Sequence, residues 1–140
     1  MPDNMVELLQ DYDEIVDGIY TNLGVSISDN DNEKWTVRGL WDTGSTRSCI
    51  SERVIEKIKM KPDGKSIIFT ANGKANVNTY CVDVEFPNGY KIQNVIVSAV
   101  RIEDDTDMLI GMDIISRGSM SINNDFGRTD FRYRLRKEVS

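Results

Sequence analysis

Apolar and polar positions alternate along most of the chain, which is the pattern of half-buried β-strands. The first two such segments run from Ile19 to Ile27 and from Lys34 to Trp41. The polar segment Ser28–Glu33 separates them. The pattern therefore predicts a β-hairpin whose second strand ends at Trp41, directly before a run of small polar residues.

More hairpins follow in the second half of the chain. Ser66–Thr70 is predicted to pair, through a tight turn at Asn72-Gly73, with a long return strand that contains Val77, Tyr80, Val82, Val84 and Phe86. Pro87-Asn88-Gly89 then turns the chain into a strand from Tyr90 to Val100. This order of elements favours an all-β, mostly antiparallel, barrel-like domain with two or three short helices.

Two segments have helical rather than alternating spacing. The apolar positions between Met5 and Val16 predict a short helix that packs by its Leu9, Tyr12 and Val16 side. The second predicted helix runs from Glu52 to about Met60, with Val54, Ile55 and Ile58 on its apolar face. Its predicted boundaries are a Ser51 cap, an Ile50 staple onto Ile55, and a stop at Pro62.

The last predicted strand lies near the C-terminus and has two different faces. Phe131, Tyr133 and Leu135 share one face, and the other carries Arg132, Arg134 and Arg136. We interpret it as a strand that packs in a sheet or a dimer, with a solvated basic edge. An anion-binding or nucleic-acid-binding surface is the alternative.

Composition narrows the possible functions. The 140 residues fit one domain, and a formal net charge of −6 disfavours nucleic acid as a partner. The chain has no histidine, which excludes Ser/His/Asp and Cys/His relays as well as histidine zinc sites. It also lacks a membrane-spanning apolar run and a signal-peptide layout, so we expect no membrane partner and a cytoplasmic location. Cys49 and Cys81 are accordingly expected to be free, half-buried thiols.

An acidic run in the first hairpin partly matches a calcium-binding loop. Asp29, Asp31 and Glu33 alternate as its ligands would, but the glycine at the sixth position and the later bidentate glutamate are missing. We interpret this run as a solvated turn, and we expect neither a metal nor a cofactor.

The segment Asp42-Thr43-Gly44-Ser45 is the strongest candidate for chemistry. It follows the apolar strand that ends at Trp41, so its carboxylate lies at a strand end. Alone, this string also fits an ordinary turn. A second segment, Met108–Ile115, contains Leu109-Ile110-Gly111 before a short helical pattern.

These two segments, with a hairpin between them, resemble the retropepsin-like aspartic proteases over the region from Ile19 to Ile122. The resemblance implies a closed acid-protease barrel with a flap hairpin. It divides the chain into an N-terminal extension (1–18), a protease core (19–122) and a C-terminal extension with a strand (123–140). Leu109, Ile110 and Gly111 would then support the catalytic loop by packing behind it.

In this family, two aspartates share a proton: one activates water while the other protonates the peptide carbonyl. The chain has a single Asp-Thr-Gly, so the resemblance implies a homodimer in which Asp42 of each subunit faces the other. Thr43 would link the two loops, Gly44 would let backbone approach the substrate, and Ser45 would bond the outer carboxylate oxygen.

The flap tip would bind substrate through Thr70, Ala71, Asn72, Gly73 and Lys74. Here the chain departs from retroviral patterns, because Gly73 is the only glycine of the tip. Thr46 and Met112 also replace the acidic residue and the arginine that buttress retroviral dimers. The dimer must therefore be held differently.

The leading hypothesis is thus an aspartic endopeptidase that cleaves an extended polypeptide. A non-catalytic peptide-binding or assembly module with the same fold is the alternative. An enzyme with a cysteine or lysine nucleophile is a third idea, weakened by the lack of a paired base beside either cysteine.

Overall fold

The structure is a computed structural model that describes residues 4–28 and 30–137, with backbone only for 30–32. Helices α1 and α2 span Glu52–Ile58 and Met112–Ile115, and a 3-10 turn spans Asp125–Gly127. The strands are β1 Met5–Tyr12, β2 Tyr20–Ile27, β3 Asn30–Trp41, β4 Cys49–Ser51, β5 Gly64–Thr70, β6 Gly73–Glu85, β7 Lys91–Val100, β8 Met108–Ile110, β9 Gly118–Asn123 and β10 Thr129–Arg136. In the described part of the chain, no helix is long and apolar enough to cross a membrane.

Seven strands form one sheet in the order β2-β3-β8-β4-β7-β6-β5, and β2 also pairs with β6. That extra pairing closes β2, β3, β8, β4, β7 and β6 into a barrel and leaves β5 as a strand attached outside it. The predicted all-β barrel with a flap hairpin and a few short helices is confirmed.

The first hairpin is longer than predicted. β3 begins at Asn30, so the connection after β2 is much shorter than the polar segment Ser28–Glu33. The polar residues from Asn30 onward belong to the strand because β3 stays paired with β2 as far as Ile27↔Asn30. Asp29 and the side chain of Asp31 lie outside the described residues, and the solvated-turn interpretation stays a prediction.

The predicted helix between Met5 and Val16 is wrong. Residues Met5–Tyr12 form β1, which pairs antiparallel with β10 from Met5↔Arg136 to Tyr12↔Thr129. Leu8 is buried, whereas Leu9, assigned to the packed helical face, is 57% exposed. Pairing with a strand more than a hundred residues away overrides the mixed local spacing.

β10 has the predicted two faces but not the predicted edge position. Phe131, Tyr133 and Leu135 are buried, as expected. β10 is the central strand of a three-stranded sheet, β1-β10-β9, so its arginines lie on a face rather than on an edge. Glu7 of β1 forms ion pairs with Arg134 at 2.9 Å and with Arg132 at 3.8 Å.

An aromatic cluster joins the two sheets beneath the end of β3. The ring of Trp41 lies 4.8 Å from that of Tyr133, 5.0 Å from Phe131 and 6.1 Å from Phe86, between centroids. The Tyr133 hydroxyl donates to the Ile114 carbonyl at 2.7 Å. Burial raises the pKa of Tyr133 to about 12, so it remains a neutral donor. This contact ties β10 to α2.

Helix α1 begins as predicted and ends earlier. The Ser51 hydroxyl accepts from the Arg53 N–H at 3.3 Å, which confirms the cap. The helix ends at Ile58 because Lys59 adopts a left-handed conformation (φ 54°), before Pro62 is reached. Cys49 and Cys81 are both free and half-buried, as expected.

Candidate active site

Asp42 is positioned by the strand that precedes it and by β8 beside it. Trp41 pairs with Ile110 in a parallel ladder between β3 and β8. The Asp42 N–H donates to the Ile110 carbonyl at 2.9 Å. The carboxylate therefore emerges where the ladder ends, and the backbone on both sides of it is fixed.

The loop after Asp42 turns back on its own carboxylate. The Gly44 N–H donates to Asp42 Oδ1 at 2.9 Å, and the Ser45 N–H donates to the Asp42 carbonyl at 3.1 Å. Asp42 is half-buried, while Thr43 and Gly44 are exposed. Within the described residues, the Thr43 hydroxyl has no hydrogen-bond partner. One carboxylate oxygen is thus held in place, and the loop presents its next two residues to solvent.

Ser45 does not make the predicted bond to Asp42. Its hydroxyl donates to the Arg47 carbonyl at 2.6 Å. Its own carbonyl accepts the N–H of Met112, the first residue of α2, at 2.8 Å. A side chain that closes its own turn is not oriented toward the preceding carboxylate. In this structure, Ser45 therefore connects the loop to α2.

The segment Leu109-Ile110-Gly111 passes directly behind the loop. β8 lies between β3 and β4, and Cys49 pairs with Leu109. Ile110 is fully buried. A Cβ on Gly111 would lie 2.7 Å from both the Ser45 carbonyl oxygen and the Arg47 carbonyl carbon. Only glycine therefore allows the two segments to approach this closely.

Two residues that sequence reasoning missed hold these segments together. The Ser48 hydroxyl accepts the Gly111 N–H at 3.0 Å and donates to Asp113 Oδ1 at 2.7 Å. The Ser48 N–H also donates to the same carboxylate at 3.0 Å. Ser48 and Asp113 are 65 residues apart, so no local sequence pattern predicts their contact. The only sequence signal was weak: a polar residue follows each motif closely, Ser48 after Asp42–Ser45 and Asp113 after Leu109-Ile110-Gly111.

An open groove of about 610 Å³ separates the loop from the flap. One wall is formed by the loop and by β7, and the other by Ser66–Phe69 of β5. Gly44 and Ser45 line this groove, as does Cys49. Across the groove, the exposed side of the loop faces β5, whose outer edge is unpaired because β5 ends its sheet.

The flap tip lies beyond this groove. Thr70–Lys74 are all exposed, and none of them lines it. The Thr70 hydroxyl donates to the Gly73 carbonyl at 3.0 Å and accepts the Asn72 N–H at 3.2 Å. Gly73 has a φ of +110°, which closes the two-residue turn formed by Ala71 and Asn72. The single chain therefore places β5, but not the tip, along the groove beside the loop that follows Asp42.

Cys49 is poorly suited to act as a nucleophile. Burial raises the pKa of its thiol, and the carboxylates of Asp113 and Asp42 raise it further, against the lowering effect of a Ser45 hydrogen bond. The reactive thiolate is therefore scarce near neutral pH. This argues against the cysteine-enzyme hypothesis.

No set of three potential metal ligands is grouped among the residues described here. The groove itself is lined by hydroxyl, thiol and apolar groups and by Arg47, and the Asp42 carboxylate is bonded to the N–H of Gly44, one of its lining residues. A carboxylate beside a groove can exchange protons with a bound water or substrate.

The family model of aspartyl proteases matches residues 25–114, which is more than half of the chain. The chain belongs to this aspartyl protease family. The matched range includes Asp42 as well as Leu109-Ile110-Gly111. No curated protein matches the sequence.

Solved structures agree on the fold. A retropepsin-like aspartic protease from Rickettsia conorii is 18% identical with a TM-score of 0.61, covering 94% of this chain and 95% of that one. The simian foamy virus (mac) protease is 17% identical with a TM-score of 0.51, covering 70% and 92%. The fold of this aspartyl protease family member is therefore retropepsin-like.

We predict that Gly111→Ala destabilises the protein by about 1–3 kcal/mol, because the new methyl group would overlap backbone atoms of the loop. Urea unfolding followed by circular dichroism measures the change. Gly64→Ala is the matched control, since its methyl would approach only the Thr79 hydroxyl, at 3.2 Å. Equal stability of the two variants would contradict close packing of Gly111 against the loop.

Proposed function

We propose that the protein is a homodimeric aspartic endopeptidase in which each subunit supplies Asp42. The observation that carries this proposal is the half-buried Asp42 carboxylate, one oxygen of which is held by the N–H of Gly44, a residue that lines an open groove. Membership of the aspartyl protease family supports the same chemistry. Thr43, Gly44 and Asp42 are the residues that we assign to the catalytic loop.

The mechanism needs a second carboxylate, and within the described residues no carboxylate forms a hydrogen bond with Asp42. Asp113 is close enough to influence Cys49, but it accepts hydrogen bonds from Ser48 and from the Ile114 N–H. It is therefore committed to holding the loop. Asp42 of a second copy, brought in by a twofold axis, is the remaining source.

Paired carboxylates divide the two catalytic tasks. Two charges about 3 Å apart would repel by roughly 5 kcal/mol at an effective dielectric of about 20, so one proton is shared. The ionised member takes a proton from water, which attacks the peptide carbonyl. The protonated member donates to the carbonyl oxygen. The C–N bond then breaks: the proton taken from water passes to the amide nitrogen, which leaves as the amine, and the other carboxylate takes back a proton from a hydroxyl of the tetrahedral intermediate. No metal or cofactor enters these steps.

The substrate that fits best is an extended polypeptide. β5 is the end strand of its sheet, so the N–H and C=O groups on its outer edge are available to pair with another strand. Ser66–Phe69 of this strand form a wall of the groove. A peptide paired with β5 would run past Gly44 and Ser45. The tip residues Thr70–Lys74 would complete the site only if the flap closes over the peptide.

The dimer is proposed to form along β9. This strand ends its sheet, so one edge of it is unpaired. It follows α2, whose first residue, Met112, is bonded to Ser45 of the catalytic loop. Ile122 of β9 is 47% exposed and would be covered by a second copy. Thr43, which lacks a partner within the described residues, would bond across the same axis.

A non-catalytic peptide-binding module is the second candidate. Two observations favour it: the flap tip is closed by its own hydrogen bonds, and the Ser45 hydroxyl donates to the Arg47 carbonyl rather than to Asp42. Peptide binding at the β5 edge would serve this function equally well. Measuring whether bound peptides are cleaved distinguishes the endopeptidase from the binding module.

We predict that Asp42→Asn lowers peptide cleavage by about a hundredfold or more, because an amide cannot accept or donate the catalytic proton. Cleavage of a diverse peptide mixture across acidic to neutral pH, read by mass spectrometry, measures this loss. Asp105→Asn is the control, since that carboxylate pairs with Arg38 on the surface at 2.8 Å. Unchanged cleavage by the Asp42 variant would remove it from the mechanism, and a folded wild-type dimer without cleavage would favour the binding module.

We predict that Ile122→Lys shifts the dimer toward monomer and lowers cleavage in parallel, because a charge would be buried at the β9 edge. Sedimentation velocity over a range of protein concentrations measures the shift. Ile96→Lys is the control, since that side chain is 37% exposed but lies on β7 of the barrel. If both variants sediment like wild type, the β9 edge is not the interface.

A further inference from the structure

Charge is distributed unevenly between the groove and the rest of the protein. The chain carries a formal net charge of −6. Arg47 is nevertheless the only charged residue among the described residues that line the groove, and it is exposed. An acidic protein therefore presents a cation where a peptide would bind.

The position of Arg47 is fixed by its own backbone. Its carbonyl accepts hydrogen bonds from the Ser45 hydroxyl at 2.6 Å and from the Cys49 thiol at 3.5 Å. The same backbone packs against Gly111. The side chain, in contrast, forms no ion pair within the described residues. The Arg47 backbone is thus held in place, while its guanidinium is available to bind an anion.

The flap adds a second cation on the same side. Phe69 lines the groove, and Lys74 is its direct cross-strand partner. Side chains of paired residues lie on the same face of a hairpin. The Lys74 ammonium accordingly lies over the Phe69 ring, 5.6 Å from its centroid. Lys74 does not line the groove itself, but it places a second cation next to the Phe69 wall, at the flap tip.

Large apolar side chains flank these cations without being buried. Phe69 is 78% exposed and Ile67 is 58% exposed, and both line the groove. Such exposed apolar residues in a groove indicate a contact surface for a ligand side chain. The groove therefore combines an apolar wall with one lining cation, Arg47, and no lining carboxylate, while Lys74 lies beside its Phe69 wall.

We propose that Arg47, assisted by Lys74, selects peptides that carry an acidic side chain next to a large apolar one. The apolar side chain packs against Ile67 and Phe69, and the carboxylate pairs with the guanidinium, whose planar fork matches it. The acidic residue lies at the Arg47 end of the loop because Asp42 would repel it at the other end. This substrate class rests on the proposed function, in that it takes the groove to be the peptide site.

Peptide binding tests the proposal without requiring turnover. The Asp42→Asn protein is applied to an array of short extended peptides, each made in a glutamate form and a matched glutamine form. We expect some glutamate forms with a neighbouring apolar residue to bind about three- to tenfold more tightly than their glutamine partners. This ratio should fall as salt is raised.

Second-site variants in the same background identify the cation responsible. R47Q should reduce the glutamate-to-glutamine ratio to about one, R47E should invert it, and K74Q should lower it partly. R128Q is the matched control, because Arg128 is a similarly exposed arginine, with 59% of its side chain accessible, that does not line the groove. It should leave the ratio unchanged.

Three outcomes would overturn the proposal: equal binding of glutamate and glutamine forms, no binding of any peptide, or a ratio that R47Q does not alter. Cleavage of the same peptides by wild-type protein is measured separately. Cleavage without a charge preference contradicts the selectivity alone. A preference that depends on Arg47, with no cleavage, contradicts the endopeptidase and leaves the selectivity supported.

Discussion

The close approach of Gly111 to the catalytic loop is the contact on which the site depends. Gly111 lies against the backbone of Ser45 and Arg47, where no side chain would fit. The N–H of Gly111 donates to Ser48, and Ser48 in turn donates to Asp113. Because β8 also pairs with the strands on both sides of the loop, the loop cannot shift without breaking the barrel. The packing of Gly111 and β8 against the loop thus holds Asp42 in a fixed position.

The same contact explains which features the sequence predicts and which it does not. Asp42 and Leu109-Ile110-Gly111 were recognisable because each is a contiguous segment with a family pattern. The cap at Ser51 was predictable for a similar reason, since a cap is a local interaction. The bond between Ser48 and Asp113 links positions that only the folded barrel brings together, and no local spacing encodes it.

The helix predicted for the segment that forms β1 was wrong for a related physical reason. Its apolar residues have mixed spacing, which fits a helix as well as a strand when read alone. The strand forms because β10, at the other end of the chain, offers Phe131 and Tyr133 as core neighbours and arginines as partners for Glu7. Ser45 illustrates the same limit on a smaller scale: two neighbouring acceptors compete for one hydroxyl, and geometry, not residue type, decides between them.

The uneven distribution of charge connects the fold to its proposed substrate. The chain has 23 acidic and 17 basic residues, whereas Arg47 is the one charged residue among the described residues that line the groove. One aspartate can activate water as a base but cannot at the same time act as the acid that protonates the carbonyl oxygen of the scissile peptide bond. The central claim is therefore that two copies of this loop work as one site.

Subunit mixing tests that claim most directly. Wild-type and Asp42→Asn chains are unfolded together, refolded at constant total concentration, and assayed for peptide cleavage as the wild-type fraction varies. If each site needs Asp42 from both subunits, activity follows the square of that fraction, and an equal mixture retains roughly one quarter of it. Activity in direct proportion to the wild-type fraction, roughly one half in the equal mixture, would contradict a shared site.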